Sequence, residues 1–405
     1  MGKTPRDHWW LQGFITGWRR WGKKPGMAGY SSFTEVTVSL QRALLVVPNH
    51  PLFYPHILRH ALALRTRFPE VDVLAVFAPT DTLPELDGVH WYASAPRFAH
   101  GFLEFSLQML RVAAHLLRHS YHSVEAVDPP SLIPAALTLL FRRTRLVYFS
   151  MEIFPDTPAI AYKPCKRWIW KILEFCAVRR TQATLTVNQS VAVHLQSALL
   201  LQKIGVVRSM PERLPALKPN GELRRRCCLG QDDFLLIYQG SLEQGRGLEF
   251  VCDCLRQRPD IHLAILGMGP LEAWAKERAA EQKNVHFCGA FPFERLMVLA
   301  KDANAGLVWI EPLSESYRLS LPGKIFEYTQ SGIPMLGSPL PEIQSHIQRH
   351  GLGEVAAAWT GDALLQALDL LRERSCAYFY KTSLAQAKED LCWEKEQAHL
   401  LEAFS

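Results

Sequence analysis

The chain has 405 residues, 48% of them apolar and 21% charged, the composition of globular material long enough for two cores of domain size. Its formal charge of +6 invites anionic company without choosing between nucleic acid, a phosphorylated substrate and an acidic membrane. The nine cysteines have no paired CxxC spacing, which excludes a structural zinc site of that kind, and read as reduced, buried thiols. No run of about 20 apolar residues is present and the N-terminus lacks a continuous apolar region, so the expectation is a cytoplasmic chain with no span.

In chain order, the first strand signal is 43–48 (ALLVVP), followed by a loop, a helical stretch at 54–68 and a strand at 71–79 (VDVLAVFAP). Segments 123–129 (SVEAVDP) and 145–151 (RLVYFSM) extend a sheet, with 131–141 (SLIPAALTLLF) as the crossover between them, and 183–190 ends the series. A polar, basic segment at 212–230 carries prolines and glycines and interrupts the alternation. The pattern then restarts with strands at 234–240, 261–269, 285–289 and 305–311 and helices at 247–258, 271–282 and 292–303. Alternation of this kind gives parallel α/β domains, here two of them, which bind ligands at the carboxyl ends of their strands. The boundaries read from this are an extension at 1–40, a domain at 41–205, a linker region at 206–230, a second domain at 231–375 and a helical segment at 376–405.

Candidate chemistry begins at 321–337, LPGKIFEYTQSGIPMLG. Pro322 suits a first helical turn and Gly332 a helix end, so a helix is expected over 322–331, with Lys324, Glu327 and Tyr328 sharing a face. A cation in a first turn opposes the helix dipole unless an anion sits against it, and a helix start is itself an anion site. Glu327, an acceptor one turn later, suits the two hydroxyls of a ribose. Phosphate and ribose together describe a nucleotide. The same residues also read as a solvated lysine paired with Glu327 at i,i+3, worth a few tenths of a kcal/mol.

A second stretch, 238–247 (YQGSLEQGRG), leaves a strand through Gly240 and Ser241 and enters a helix at Gly247, with Arg246 at the junction. Such a turn offers amides and a planar cation to phosphate. It has neither dinucleotide-fingerprint nor P-loop spacing. A third strand-end turn is 265–270 (ILGMGP), containing Gly267.

In this order and spacing YQGSLEQGRGLE, ILGMGP, VHFCGAFPFERL and LPGKIFEYTQSGIPMLGS resemble the donor-binding domain of GT-B-fold glycosyltransferases, the large retaining family that uses nucleotide sugars. VVPNHPLFYPHILRHALAL, AVDPPSLIPAA and LVYFSMEIFPDTP resemble its N-terminal half, and the likeness spans roughly 42–370. It implies two doubly wound Rossmann-like domains facing across a cleft. It also implies that Arg246 and Lys324 hold a donor diphosphate, with Gly240, Ser241, Gly267 and Tyr328 around it, and that Glu327 holds the ribose. Glu152 and Asp128, at strand ends, are candidate catalytic residues that orient acceptor or sugar, with His50 assisting; each reads equally as a capping or satisfied polar residue. The sequence departs from the family's pattern at Ser241, where relatives carry arginine, at Leu319, where the first of two spaced glutamates is expected, and at Met151, where many carry histidine.

The resemblance implies transfer of a sugar, with retention, to a lipid-linked or cell-envelope glycan. Two cations against the phosphates make a metal unnecessary, and Asp232 and Asp233 read as turn acids. No cofactor and no nucleic acid are expected. The alternatives are a non-catalytic GT-B subunit or a sugar-nucleotide epimerase on the same fold.

The extension places Trp9, Trp10, Phe14, Trp18 and Trp21 among arginines and lysines, a composition that favours an anionic membrane surface, so a peripheral location on the inner membrane face is expected. A second basic and aromatic stretch at 162–180 is a lesser candidate for the same surface; by the resemblance it corresponds instead to an amphipathic helix whose apolar face is core.

Overall fold

The computed structural model describes residues 41–48, 55–77, 83–95, 102–215, 218–376 and 379–405; the extension and His50 lie outside the described residues.

Two sheets organise the chain. The first contains β1 (Arg42–Val46), β2 (Glu70–Val76), β3 (Val89–Ala95), β4 (Ser123–Val127), β5 (Arg145–Ser150), β6 (Ala183–Thr186) and β7 (Gly205–Val206), in spatial order 3-2-1-4-5-6-7. The second contains β8 (Phe234–Gln239), β9 (Ile261–Leu266), β10 (Val285–Gly289), β11 (Ala305–Val308), β12 (Met335–Gly337) and β13 (Gly353–Val355), in order 10-9-8-11-12-13. Pairing is parallel, as in β1 with β2 and β4, and β8 with β9 and β11. Each order reverses once, where β1 meets β4 and where β8 meets β11, which makes both sheets doubly wound. Strands covered by helices on both faces must be apolar throughout, and β4 and β8 are buried at every residue.

The described residues form two compact units, one drawn from 41–149, 176–183 and 404–405, the other from 150–175 and 184–403. In the first, Asp72 accepts from Arg42 at 2.8 Å and from the Tyr121 hydroxyl at 2.6 Å, and the Phe404 ring lies 6.3 Å from Phe68. In the second, the segment read as a linker is packed. Arg224 donates to the carbonyl of Gly230 and to Asn304 Oδ1 at 2.5 and 2.7 Å, while Asp302 accepts the amides of Asn220, Gly221 and Leu223. Proline, glycine and charge suggest a free connection, but one multiply bonded arginine and one capping carboxylate anchor this one. Asp233 is the turn acid expected of it, accepting the Gly230 amide at 2.7 Å.

Two expectations fail in the same place. Cys165, Cys176 and Cys228 are exposed rather than buried, whereas Cys227, Cys252, Cys254 and Cys392 are buried, all of them free thiols. Cys165 and Cys176 belong to the helix Pro164–Val178, whose apolar face is not core. Its packed side instead sets Arg167 and Lys171 on the buried carboxylate of Asp156 and Trp170 against Phe154 at 4.9 Å. The same face buries Glu174, Ala177 and Val178. No helix of the described residues is long and apolar enough to cross a membrane.

Candidate active site

Three elements of the second unit meet at its switch point. β8 ends in Tyr238 and Gln239 and turns at Gly240; a loop leads from there to the helix Leu248–Leu255; and the helix Lys324–Ser331 follows β11. This last helix begins two residues later than its sequence suggests, with Gly323 as N-cap, and ends on Gly332 at φ 70°. The amides of Ile325, Phe326 and Glu327 already donate to the carbonyls of Pro322 and Gly323. The pull of this helix start on an anion therefore rests on the dipole and on Lys324.

The two glycines at the strand ends set the floor of the site. Gly240 has φ 129°, and a side chain there would begin 3.0 Å from Lys324 Cε. Gly267, at φ 155°, lies so close to the Gly240 carbonyl that a Cβ would come within 1.9 Å of its oxygen. Their amides continue the ladder beyond the strands, Gly240 to Leu266 and Gly267 to Gly289.

Lys324 is half-buried and makes no hydrogen bond to a described residue; its ammonium lies 4.3 Å from the centroid of the Tyr238 ring. Burial lowers its pKa to about 7, with nearby Arg246 acting in the same direction and Glu327 and Glu243 against it. Arg246 donates to Glu243 at 3.2 Å and lies over the Tyr317 ring at 5.2 Å, but its buried Nε has no partner. Burial opposes its charge, yet Tyr317, Tyr238 and Glu243 outweigh that and raise its pKa. These are two cations with one weak carboxylate contact between them.

Glu327 is held by Gln239, whose Nε2 donates to its Oε2 at 2.5 Å. Glu152, on the stretch after β5, accepts from Ser316 Oγ at 3.4 Å. Burial raises its pKa, partly offset by Arg246 and by that hydrogen bond. The second unit thus collects Lys324, Glu327, Gly240, Gly267, Arg246 and Glu152. Ser241 is exposed beside Gly240, and its carbonyl accepts the Tyr238 hydroxyl at 2.6 Å. Tyr328 is not on the ligand side. It is fully buried, its hydroxyl donates to the Ile237 carbonyl at 2.9 Å, and its ring fills the space left by the absent side chain of Gly306, so it locks the helix onto the sheet. Asp128 belongs to the first unit, buried at the start of the helix Asp128–Thr138 with φ 56°.

Sequence reasoning missed Gln239, Tyr238, Ser316 and Tyr317. A glutamine closing an otherwise apolar strand was a readable signal for the first; Ser316 and Tyr317 lie on a four-residue helix, Glu315–Arg318, that carries none.

No protein-family model matches the chain, and no curated protein matches it by sequence. Solved structures do. Sucrose-phosphate synthase from Thermosynechococcus elongatus is similar with a TM-score of 0.74 at 13% identity, over 90% of this chain and 98% of that one. HepE from Anabaena, in complex with UDP-glucose, gives 0.66 at 14% identity over 90% and 99%. WaaG, a glycosyltransferase involved in lipopolysaccharide biosynthesis, gives 0.60 at 15% over 88% and 94%. These neighbours are GT-B proteins, and the chain has the GT-B fold of two Rossmann-like domains.

Proposed function

We propose that the chain is a glycosyltransferase that moves a sugar from a nucleotide donor to a glycan acceptor. The observation that carries this reading is the pair Lys324 and Arg246: two desolvated cations at the switch point, one without a hydrogen bond to any described residue and one with an unpartnered buried Nε. Burying charge without compensation is costly, and a diphosphate would compensate both. As the bond from the anomeric carbon to the diphosphate breaks, negative charge grows on the leaving group, and fixed cations stabilise it most at that moment.

In this reading Glu327, steadied by Gln239, takes the ribose hydroxyls, and Glu152 orients the sugar or acceptor, with Asp128 and His50 on the acceptor side. Transfer proceeds with retention and without a metal, since two cations already neutralise the phosphates. The acceptor is a lipid-linked or cell-envelope glycan precursor, met at the cytoplasmic membrane face. The GT-B fold, shared with a UDP-glucose-bound protein and a lipopolysaccharide glycosyltransferase, supports the donor and acceptor classes.

The test is a thermal-shift screen against UDP, GDP, ADP, CMP and their sugar conjugates without added metal, followed by product analysis. A shift with one nucleotide, and loss of sugar from its conjugate to an added glycan, is the expected result. An isomerised donor without acceptor would make the chain an epimerase instead. No shift with any nucleotide would make it a non-catalytic subunit.

A further inference from the structure

The helix Pro164–Val178 presents its apolar stripe to solvent. Cys165, Trp168, Ile169, Ile172 and Leu173 stand at i, i+3, i+4, i+7 and i+8, the spacing of a single helical face, and Trp168 and Ile169 are 65% and 50% exposed. The opposite face is the packed one: it buries Glu174, Ala177 and Val178, pairs Arg167 and Lys171 with Asp156 and sets Trp170 against Phe154. Along the helix and at its start the exposed, unpaired charge has one sign. Lys163 and Lys166 are exposed at the start of the helix, its first turn carries no acid, and its one acid, Glu174, is 2% exposed. Two lysines at the positive end of a helix dipole repel it unless an anion lies against them.

We infer that this face docks the protein on a membrane containing anionic lipid. Trp168, Ile169, Ile172 and Leu173 enter the headgroup boundary, and Lys163 and Lys166 meet lipid phosphates. An indole ring beside a cationic, acid-free helix end is the composition that settles at such a boundary. The inference rests on the membrane-face part of the reading above and is independent of its transfer chemistry.

The experiment is flotation of the full chain with vesicles of phosphatidylcholine and phosphatidylglycerol at 7:3, and with phosphatidylcholine alone. Wild type is compared with Trp168→Asp/Ile172→Asp and with Lys163→Glu/Lys166→Glu. Wild type is expected to float with the anionic vesicles. The apolar pair should lower the bound fraction on them about tenfold or more. The charge pair should lower it about fivefold per lysine on the same vesicles and leave binding to neutral vesicles unchanged. Because all four side chains are exposed, the variants should melt with wild type and bind UDP as it does.

Wild type failing to float, or both variants floating like wild type, would overturn the inference. So would a wild-type dimer in light scattering that the apolar pair dissociates, since a second copy would then cover the stripe. Expected flotation with no nucleotide shift would leave this inference standing while removing the transferase reading.

Discussion

Gln239 and Glu327 are joined side chain to side chain, amide nitrogen to carboxylate oxygen, at 2.5 Å. The bond ties the end of β8 to the first turn of the helix Lys324–Ser331 and fixes one oxygen of the carboxylate. Gln239 is fully buried and its own Oε1 has no partner, so the bond to Glu327 is what satisfies its amide. Gln239→Ala should raise the nucleotide Kd about tenfold, the effect of losing one charge-assisted hydrogen bond. Glu327→Ala should raise it further. Both are read by isothermal titration, with circular dichroism expected to report an intact fold.

Lys324 makes donor binding depend on pH. With its pKa brought down to about 7, it is a cation below neutrality and neutral above. A diphosphate binds the cation, so binding should take up a proton near neutral pH and weaken as pH rises from about 7 to about 9. Titration in buffers of different ionisation enthalpy measures that proton directly.

The same shift acts on the empty protein with the opposite sense. Between about 7 and the ordinary lysine value of 10.5 the unfolded chain holds more protons than the folded one, so this residue makes stability rise with pH across that window. Lys324→Met should remove the dependence, stabilise the empty protein at pH 6 by about 1 kcal/mol and weaken nucleotide binding about tenfold or more. Urea unfolding at pH 6 and pH 9 checks it.

Arg246 opposes the rise in the Glu152 pKa that burial causes. Arg246→Ala should therefore lower kcat/KM about a hundredfold or more and also move the acidic limb of the pH–rate profile upward. Arg246→Lys should rescue only part of the loss, because a point charge cannot reproduce a planar fork.

Chelation tests the electrostatic argument from the other side. If Lys324 and Arg246 neutralise the diphosphate, transfer measured in EDTA should match transfer in added magnesium within about twofold.

Gly267→Ala should be among the most damaging single substitutions in the second unit. It combines a φ of 155° with a Cβ 1.9 Å from a backbone oxygen, for a cost of about 3 kcal/mol or more. Chemical denaturation would register it as a lower midpoint.

Much of the fold was legible because parallel strands covered on both faces are short apolar runs, such as FLLIYQ at β8, separated by helical stretches with glycine and proline at their ends. The short elements were not: β7 and β13, of two and three residues, carry too little pattern. At the site, Lys324 stood out because a cation in a first helical turn opposes the dipole, and Arg246 because it adds a planar cation to a glycine-bearing strand-to-helix turn. Tyr328 was misplaced because helical spacing tells which residues share a face but not that Gly306 opens a slot for its ring. For the helix Pro164–Val178 the sequence left a core face and a surface face both open, because periodicity finds an apolar stripe but not which side of the helix meets Asp156 and buries Ala177 and Val178.

By the resemblance Leu319 stands where the first of two spaced glutamates is expected, and it is 7% exposed, its carbonyl accepting the Asn188 side-chain amide at 2.8 Å. A carboxylate introduced there would stay largely out of water, and burial would push it towards the protonated form. A two-glutamate arrangement could therefore be engineered here only together with substitutions that open the surroundings of Leu319 to water, so this position constrains redesign of the site more than its distance from Lys324 in sequence suggests.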